Sequence, residues 1–244
     1  MKIKSFTISL AAICLMASCA GTPSVRTDLA QAKSNQVLTK KEQSKLTPDD
    51  VIGILKQGNE EFVNNRLTSR NTPDRIKAAI NGQYPEAIIL SCIDSRVPVE
   101  DVFHRGIGDV FVARVAGNIV NTDILASMEY ACKVAGSKVV VVLGHESCGA
   151  LKSAIDDVKL GNISELLQKI TPAVHSSKTG FQGETSSSNP IFVEKVSHSN
   201  IALAMSEIRK NSPILKEMEA RGEIKIVGAM YHLQNGKVDF LEDR

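Results

Sequence analysis

Two short segments carry residue types that can do chemistry together. One reads Cys92-Ile93-Asp94-Ser95-Arg96 and the other His145-Glu146-Ser147-Cys148-Gly149. Two thiolates and an imidazole make a sound ligand set for Zn2+, which favours sulfur and nitrogen donors in a tetrahedron. Three protein ligands leave the fourth position open, the arrangement of a catalytic rather than a structural zinc site. The gap between His145 and Cys148 lets both reach one ion from a single turn. Asp94, two positions beyond a ligand, can accept a hydrogen bond from a water on the metal. Arg96 can hold that carboxylate through a bidentate, charge-assisted pair, which fixes its direction and keeps it ionised.

Plainer readings compete with this one. A cysteine at a strand end is often a small buried hydrophobe, and a histidine after a buried strand is often a hydrogen-bonded core residue. An Asp–Arg pair in a turn can be a surface ion pair that contributes about 0–1 kcal/mol. Cys92 and Cys148 could also form a redox pair, but that reading gives His145, Asp94 and Arg96 nothing to do. The matched placement of the two segments favours metal. Cys132, beside Tyr130 and Val134, reads as a core residue.

That placement comes from the elements around the segments. Ala87–Leu90, Val110–Ala113 and Lys138–Leu143 are apolar runs of strand length, and the last is β-branched and continuous, as a parallel strand buried on both faces should be. The two segments directly follow the first and third of these runs. In open α/β sheets the carboxyl ends of the strands are where sites are built. Helices are expected from Thr47, with Thr47 as N-cap, Pro48 in the first turn and Val51, Ile54, Leu55 and Phe62 as an apolar stripe. Others are expected over Pro73–Asn81, Asp123–Val134, from Gly149 toward Val158, over Ser164–Val174 and from Pro190 to Lys210. Ser176–Asn189 reads as a surface loop. Ile224–Tyr231 reads as a last strand, turning at Asn235-Gly236 into Val238–Leu241. Strands alternating with helices predict an α/β fold: one domain with a mostly parallel central sheet flanked by helices, plus an N-terminal helical arm.

The composition excludes several function classes. The 244 residues suit one domain with a tail, and 43% apolar residues can build a core. With 29 basic and 27 acidic residues and no basic run, nothing supplies a set of phosphate contacts, so no nucleic-acid partner is expected. Aromatics are 4% and Trp is absent, which leaves few stacking platforms. Five cysteines in a chain this long do not describe a disulfide scaffold.

The N-terminus reads as a targeting segment: Met-Lys-Ile-Lys, an apolar run from Ile8 to Ala17, then Leu15-Met16-Ala17-Ser18-Cys19. Ala17-Ser18-Cys19 resembles a bacterial lipobox, with cleavage before Cys19 and lipid on its thiol, although Met16 stands where Leu is usual. The other reading is an ordinary secretory peptide cut after Ala20. Either way Cys14 is removed with the apolar run. Taking Lys2 and Lys4 from the 29 basic residues balances the 27 acidic ones. The expected location is extracytoplasmic, periplasmic or on the outer surface, with membrane contact only through the N-terminal lipid; the alternative is a soluble secreted or periplasmic protein.

The combined pattern of Cys92, Asp94, Arg96, His145 and Cys148 closely resembles the β-class carbonic anhydrases, whose signature is Cys-x-Asp-x-Arg followed about fifty residues later by His-x-x-Cys. Val97-Pro98, the run Phe111 to Asn118, Gly144 to Gly149 and Gly228 to Tyr231 are similar too, so the resemblance covers roughly Thr47 to Leu241. Together with the targeting segment and the Ser/Thr/Gln/Lys-rich stretch after it, this divides the chain into three parts: a signal peptide at 1–18, a lipid anchor and flexible tether at 19–46, and a carbonic anhydrase domain at 47–244. The resemblance further implies one Zn2+ per chain on Cys92, His145 and Cys148, and reversible hydration of CO2 to bicarbonate and a proton. Asp94 would orient the attacking water and Arg96 would hold Asp94. The sequence does not identify the proton shuttle: His104 is one candidate and equally reads as a surface residue of the short helix after Val99, while His175, His198 and His232 carry no assigned role.

The resemblance also implies a homodimer or higher even oligomer. The helix from Thr47 would be the arm that wraps the partner, and Val97 and Tyr130 would lie at the substrate pocket or dimer interface. Some members carry an inhibitory bicarbonate pocket built from Trp, Arg and Tyr. Arg114 and Tyr231 match two of these, but Ile89 stands at the Trp position, so this inhibition is expected to be absent or weakened. Two further readings keep the zinc site: hydrolysis of a CO2-like molecule such as CS2, or a non-catalytic zinc-binding surface lipoprotein. Asp94 and Arg96 argue against the last, because neither is needed to hold zinc.

Overall fold

In the computed structural model the residues described are 36–67 and 72–241. The expected signal peptide, Cys14, Cys19 and the first part of the tether lie outside them. Four parallel strands form the sheet: β1 (Ala87–Ser91), β2 (Val110–Arg114), β3 (Val139–His145) and β4 (Lys225–Tyr231). A fifth, β5 (Val238–Phe240), pairs antiparallel with β4, giving the order β2-β1-β3-β4-β5. All seven residues of β3 are buried, the outcome its β-branched run predicts for a central strand.

Side chains alternate across the sheet, so each strand feeds two cores. Ile88, Leu90, Val140, Val142 and Met230 face one core; Ala87, Ile89, Val139, Val141, Leu143 and Tyr231 face the other. The first core is covered by α5 (Thr122–Glu129), α9 (Pro190–Asn211) and α10 (Pro213–Ala220). Helix α9 comes so close that a Cβ at Gly144 or Gly228 would meet the Ile201 side chain at 2.6 or 2.7 Å and force it to shift.

The second core is covered by α2 (Pro48–Val63) and the short α4 (Val99–Val102). Thr47 caps α2 in a reciprocal box with Asp50. Val51 and Leu55 are fully buried against this chain's own sheet, and Asn59 bonds the carbonyls of Val102 and Gly236. This face of the helix packs on its own domain, while Ile54 and Phe62 of the same apolar stripe are only partly buried.

Several elements differ from expectation. The expected tether includes a capped turn of helix, α1 (Lys40–Gln43), whose Gln43 is buried and donates to the carbonyls of Pro85 and Ala135 at 2.8 and 2.9 Å. Helix α3 (Thr72–Ala79) stands where Pro73–Asn81 was expected. The single helix expected over Ser164–Val174 is two, α7 (Gly161–Gln168) and α8 (Thr171–Lys178), with Pro172 in the first turn of the second. Proline has no N–H to continue the ladder. The helix after α5 continues as a π turn over Tyr130–Val134, and α6 (Gly149–Ile155) follows the second motif. No helix among the described residues is long and apolar enough to cross a membrane.

Candidate metal centre

Cys92 is the first residue beyond β1, His145 closes β3, and Cys148 caps α6. β1 and β3 are neighbours with Ser91 opposite Leu143, so the carboxyl ends of both strands meet at one place. The three ligand atoms lie within 4.8 Å of one another and all three residues are buried. The two sulfurs are 3.9 Å apart and both thiols are free. A disulfide needs about 2.05 Å, whereas two sulfurs bound to one tetrahedral zinc at about 2.3 Å are about 3.8 Å apart. The spacing is that of a metal site and not of a redox pair.

His145 fits the same ion. Its Nδ1 donates to the carbonyl of Glu146 at 2.8 Å, which leaves the lone pair on Nε2. That Nε2 is buried and has no hydrogen-bond partner among the described residues. An unsatisfied buried polar atom costs about 1–3 kcal/mol, and a metal ion between the two sulfurs would satisfy it.

The thiols are prepared unequally. The Cys92 thiol is pushed well down, mainly because Cys148 donates to it and against the effect of burial; His145 and the Gly117 N–H, at 3.3 Å from Sγ, act the same way. Cys148, the donor to that thiolate and deeply buried, is pushed up. Zinc held here would take both sulfurs as thiolates. Gly117 has φ +68°, and a Cβ there would meet Ile170 at 2.7 Å. The Asn200 amide donates to its carbonyl at 2.8 Å, so the loop that bonds Cys92 is fixed from α9.

Asp94 and Arg96 form the expected bidentate pair. Nε of Arg96 donates to Oδ1 at 2.9 Å, Nη2 to Oδ2 at 2.7 Å, and the Arg96 backbone N–H to Oδ1 at 2.9 Å. These bonds, the Arg96 side chain first, hold the Asp94 carboxyl far below the usual carboxylate range. Arg114, matched from sequence only to an inhibitory pocket, grips the same loop: Nε donates to the Cys92 carbonyl at 2.9 Å and Nη2 to the Asp94 carbonyl at 2.6 Å.

The remaining residues singled out from sequence have these surroundings. Val97 is fully buried with Val99, Val102 and Tyr231, so it underlies the motif. Tyr130 is half exposed and packs edge-on against Phe111 at 6.3 Å. Together with Ile124 and Ser127 it lines a groove of about 510 Å³ along the edge strand β2. His104 is buried with Nδ1 2.6 Å from Glu61, so it is not the surface residue that one reading made it. Cys132 is buried in the core, and desolvation pushes its thiol up to about 12. The unassigned His232 bridges Glu146 and Asp239.

A family model described as carbonic anhydrase matches residues 87–238. Carbonic anhydrase 2 of Mycobacterium tuberculosis is 35% identical over 190 residues, covering 75% of this chain and 87% of the relative. Among solved structures, the β-carbonic anhydrase of Coccomyxa in complex with acetazolamide is 26% identical with a TM-score of 0.61, covering 68% of this chain and 75% of that one. One of two tetrameric β-carbonic anhydrases from Sordaria macrospora shares the fold at 22% identity and TM-score 0.63, covering 80% of this chain and 98% of its own.

Proposed function

The chain belongs to the carbonic anhydrase family, and from that membership we propose how its residues divide the work. It is a zinc enzyme that catalyses the reversible hydration of CO2 to bicarbonate and a proton. The observation that carries this is the buried Cys92–His145–Cys148 triad with the Asp94 carboxylate beside it.

Cys92, His145 and Cys148 hold the ion. A zinc ion held there would lower the pKa of water toward ~7 and so supply a nucleophile at neutral pH. Asp94 stays ionised and accepts the hydrogen of the attacking oxygen, which leaves a lone pair free to meet the carbon of CO2. Arg96 fixes the direction of that carboxylate, and Arg114 fixes the loop that carries it. Behind the ligands, Ile119, Leu151 and Val196 form an apolar backing that excludes water from the rear of the site. The expected result is rapid turnover of CO2 by the purified protein, measured beside CS2 as a rival substrate. Turnover of CS2 without hydration of CO2 would overturn the assignment.

The lysines, apolar run and Cys19 at the N-terminus support an extracytoplasmic lipoprotein anchored through that cysteine. Incorporation of labelled fatty acid should vanish in Cys19→Ala; incorporation that persists contradicts the anchor. The edge of β2, unpaired among the described residues, and the exposed Ile93 and Tyr130 support a homodimer or higher even oligomer. A monomer mass by light scattering would contradict it.

A further inference from the structure

Glu146 stands between two metal ligands in sequence, and every polar group on it is engaged. Its N–H donates to the Tyr231 carbonyl at 3.2 Å, and its carbonyl accepts Nδ1–H of His145 at 2.8 Å. Its carboxylate reaches the connection between β4 and β5. There Oε1 lies 2.7 Å from Nδ1 of His232, and Oε2 accepts the Leu233 N–H at 3.0 Å. On the other side of the ring, Nε2 of His232 lies 3.0 Å from Oδ2 of Asp239. Asp239 is held in turn by Lys237 at 2.6 Å. The imidazole of His232 thus stands between two carboxyl groups, one within hydrogen-bond distance of each ring nitrogen.

The consequence lies in what the Glu146 carbonyl does. It alone among the described groups bonds Nδ1 of His145, and that bond selects the tautomer and sets the plane in which Nε2 presents its lone pair. Ser147, which follows, sits at φ +51°, so the turn is tight and a shift of residue 146 is passed directly to both neighbouring ligands. A carboxylate bound at both oxygens to a hairpin that is itself part of the sheet keeps that peptide still.

We propose that His232 is a positioning residue for the metal centre: the Glu146–His232–Asp239 bridge ties the ligand turn to the β4–β5 hairpin and so holds the carbonyl that orients His145. This rests on His145 being a zinc ligand, as argued above. Groups that orient metal-bound histidines typically change metal affinity or activity 10–100-fold when removed. The bridge acts one contact further out, which places the expected effect near the low end.

The test is the zinc dissociation constant of the folded chain by chelator competition, with the absorption spectrum of the cobalt-substituted protein alongside. His232→Ala and Glu146→Gln should each weaken zinc by about tenfold, and the double variant should be no weaker than the worse single one. Asp239→Asn should weaken it less, and the cobalt bands should shift in His232→Ala. A role confined to stability would lower the melting temperature and leave both the constant and the bands unmoved, which would overturn the proposal. Should His232→Ala fail to fold, Asp239→Asn, at a half-exposed site, decides alone: an unchanged constant overturns the bridge. A wild type that binds no zinc would sink the metal reading itself, whereas tight wild-type binding with unaffected variants would sink only the bridge.

Discussion

Oδ2 of Asp94 lies 3.8 Å from Nε2 of His145, the ring nitrogen left to face the metal. Arg96 grips the same carboxylate from its own side. An acceptor that is ionised, aimed and not itself needed as a ligand is what orients a water for attack.

That geometry separates binding from rate. Asp94→Asn should keep one zinc per chain and lose on the order of 100-fold or more in CO2 hydration, the scale of a positioned proton acceptor. Arg96→Ala should also keep zinc and lose less, because the carboxylate remains but is no longer aimed. Metal content read against stopped-flow rates checks both. An unchanged rate in Asp94→Asn would refute the role given to the carboxylate.

Bicarbonate should act as a simple product inhibitor. Ile89, at the position where an inhibitory pocket would carry Trp, is fully buried in the core under the site. Arg114, which matches a second pocket residue, is bonded to the Cys92 and Asp94 carbonyls. Initial rates across a bicarbonate titration should show no cooperativity; steep cooperative inhibition would contradict this.

Stability should fall as pH rises through the weakly acidic range. Glu86 is buried, and desolvation pushes its carboxyl up to about 7 despite Arg105 at 3.2 Å. The unfolded chain releases that proton near 4.3. Between about 4.3 and 7 the folded state therefore binds more protons than the unfolded state, so stability declines with rising pH and levels off above that window. Glu86→Gln should flatten this part of the profile. Urea melts at pH 5 and pH 7.5 check it, and an equal slope in the variant would contradict the assignment.

How much was legible in the sequence depended on how local each cause was. The run Val139 to Val142 and the capping pairs Thr47-Pro48 and Asn189-Pro190 mark strand and helix starts within a few residues, and the elements form there. Ser212-Pro213 is the same signal, Ser212 capping Leu215, and it marks α10, which hydrophobic pattern alone did not reveal. The docking of α1 was not legible, since one buried amide bonding two distant carbonyls leaves no period in the chain.

The site divides in the same way. The zinc ligands and the Asp94–Arg96 pair sit within short motifs at strand ends, so residue type and spacing expose them. Arg114 acts on Asp94 across 20 positions, Asn200 on Gly117 across 83 and His232 on Glu146 across 86. Contacts of that reach depend on the sheet order, and only the folded chain displays them.

The most direct measurement is CO2 hydration by the purified protein, with its zinc content determined on the same sample. The residues assembled at the ends of β1 and β3 predict close to one zinc per chain and rapid hydration that is abolished by Cys148→Ser together with the metal. Stoichiometric zinc with no hydration at neutral to mildly alkaline pH would leave the metal centre standing and contradict the enzyme.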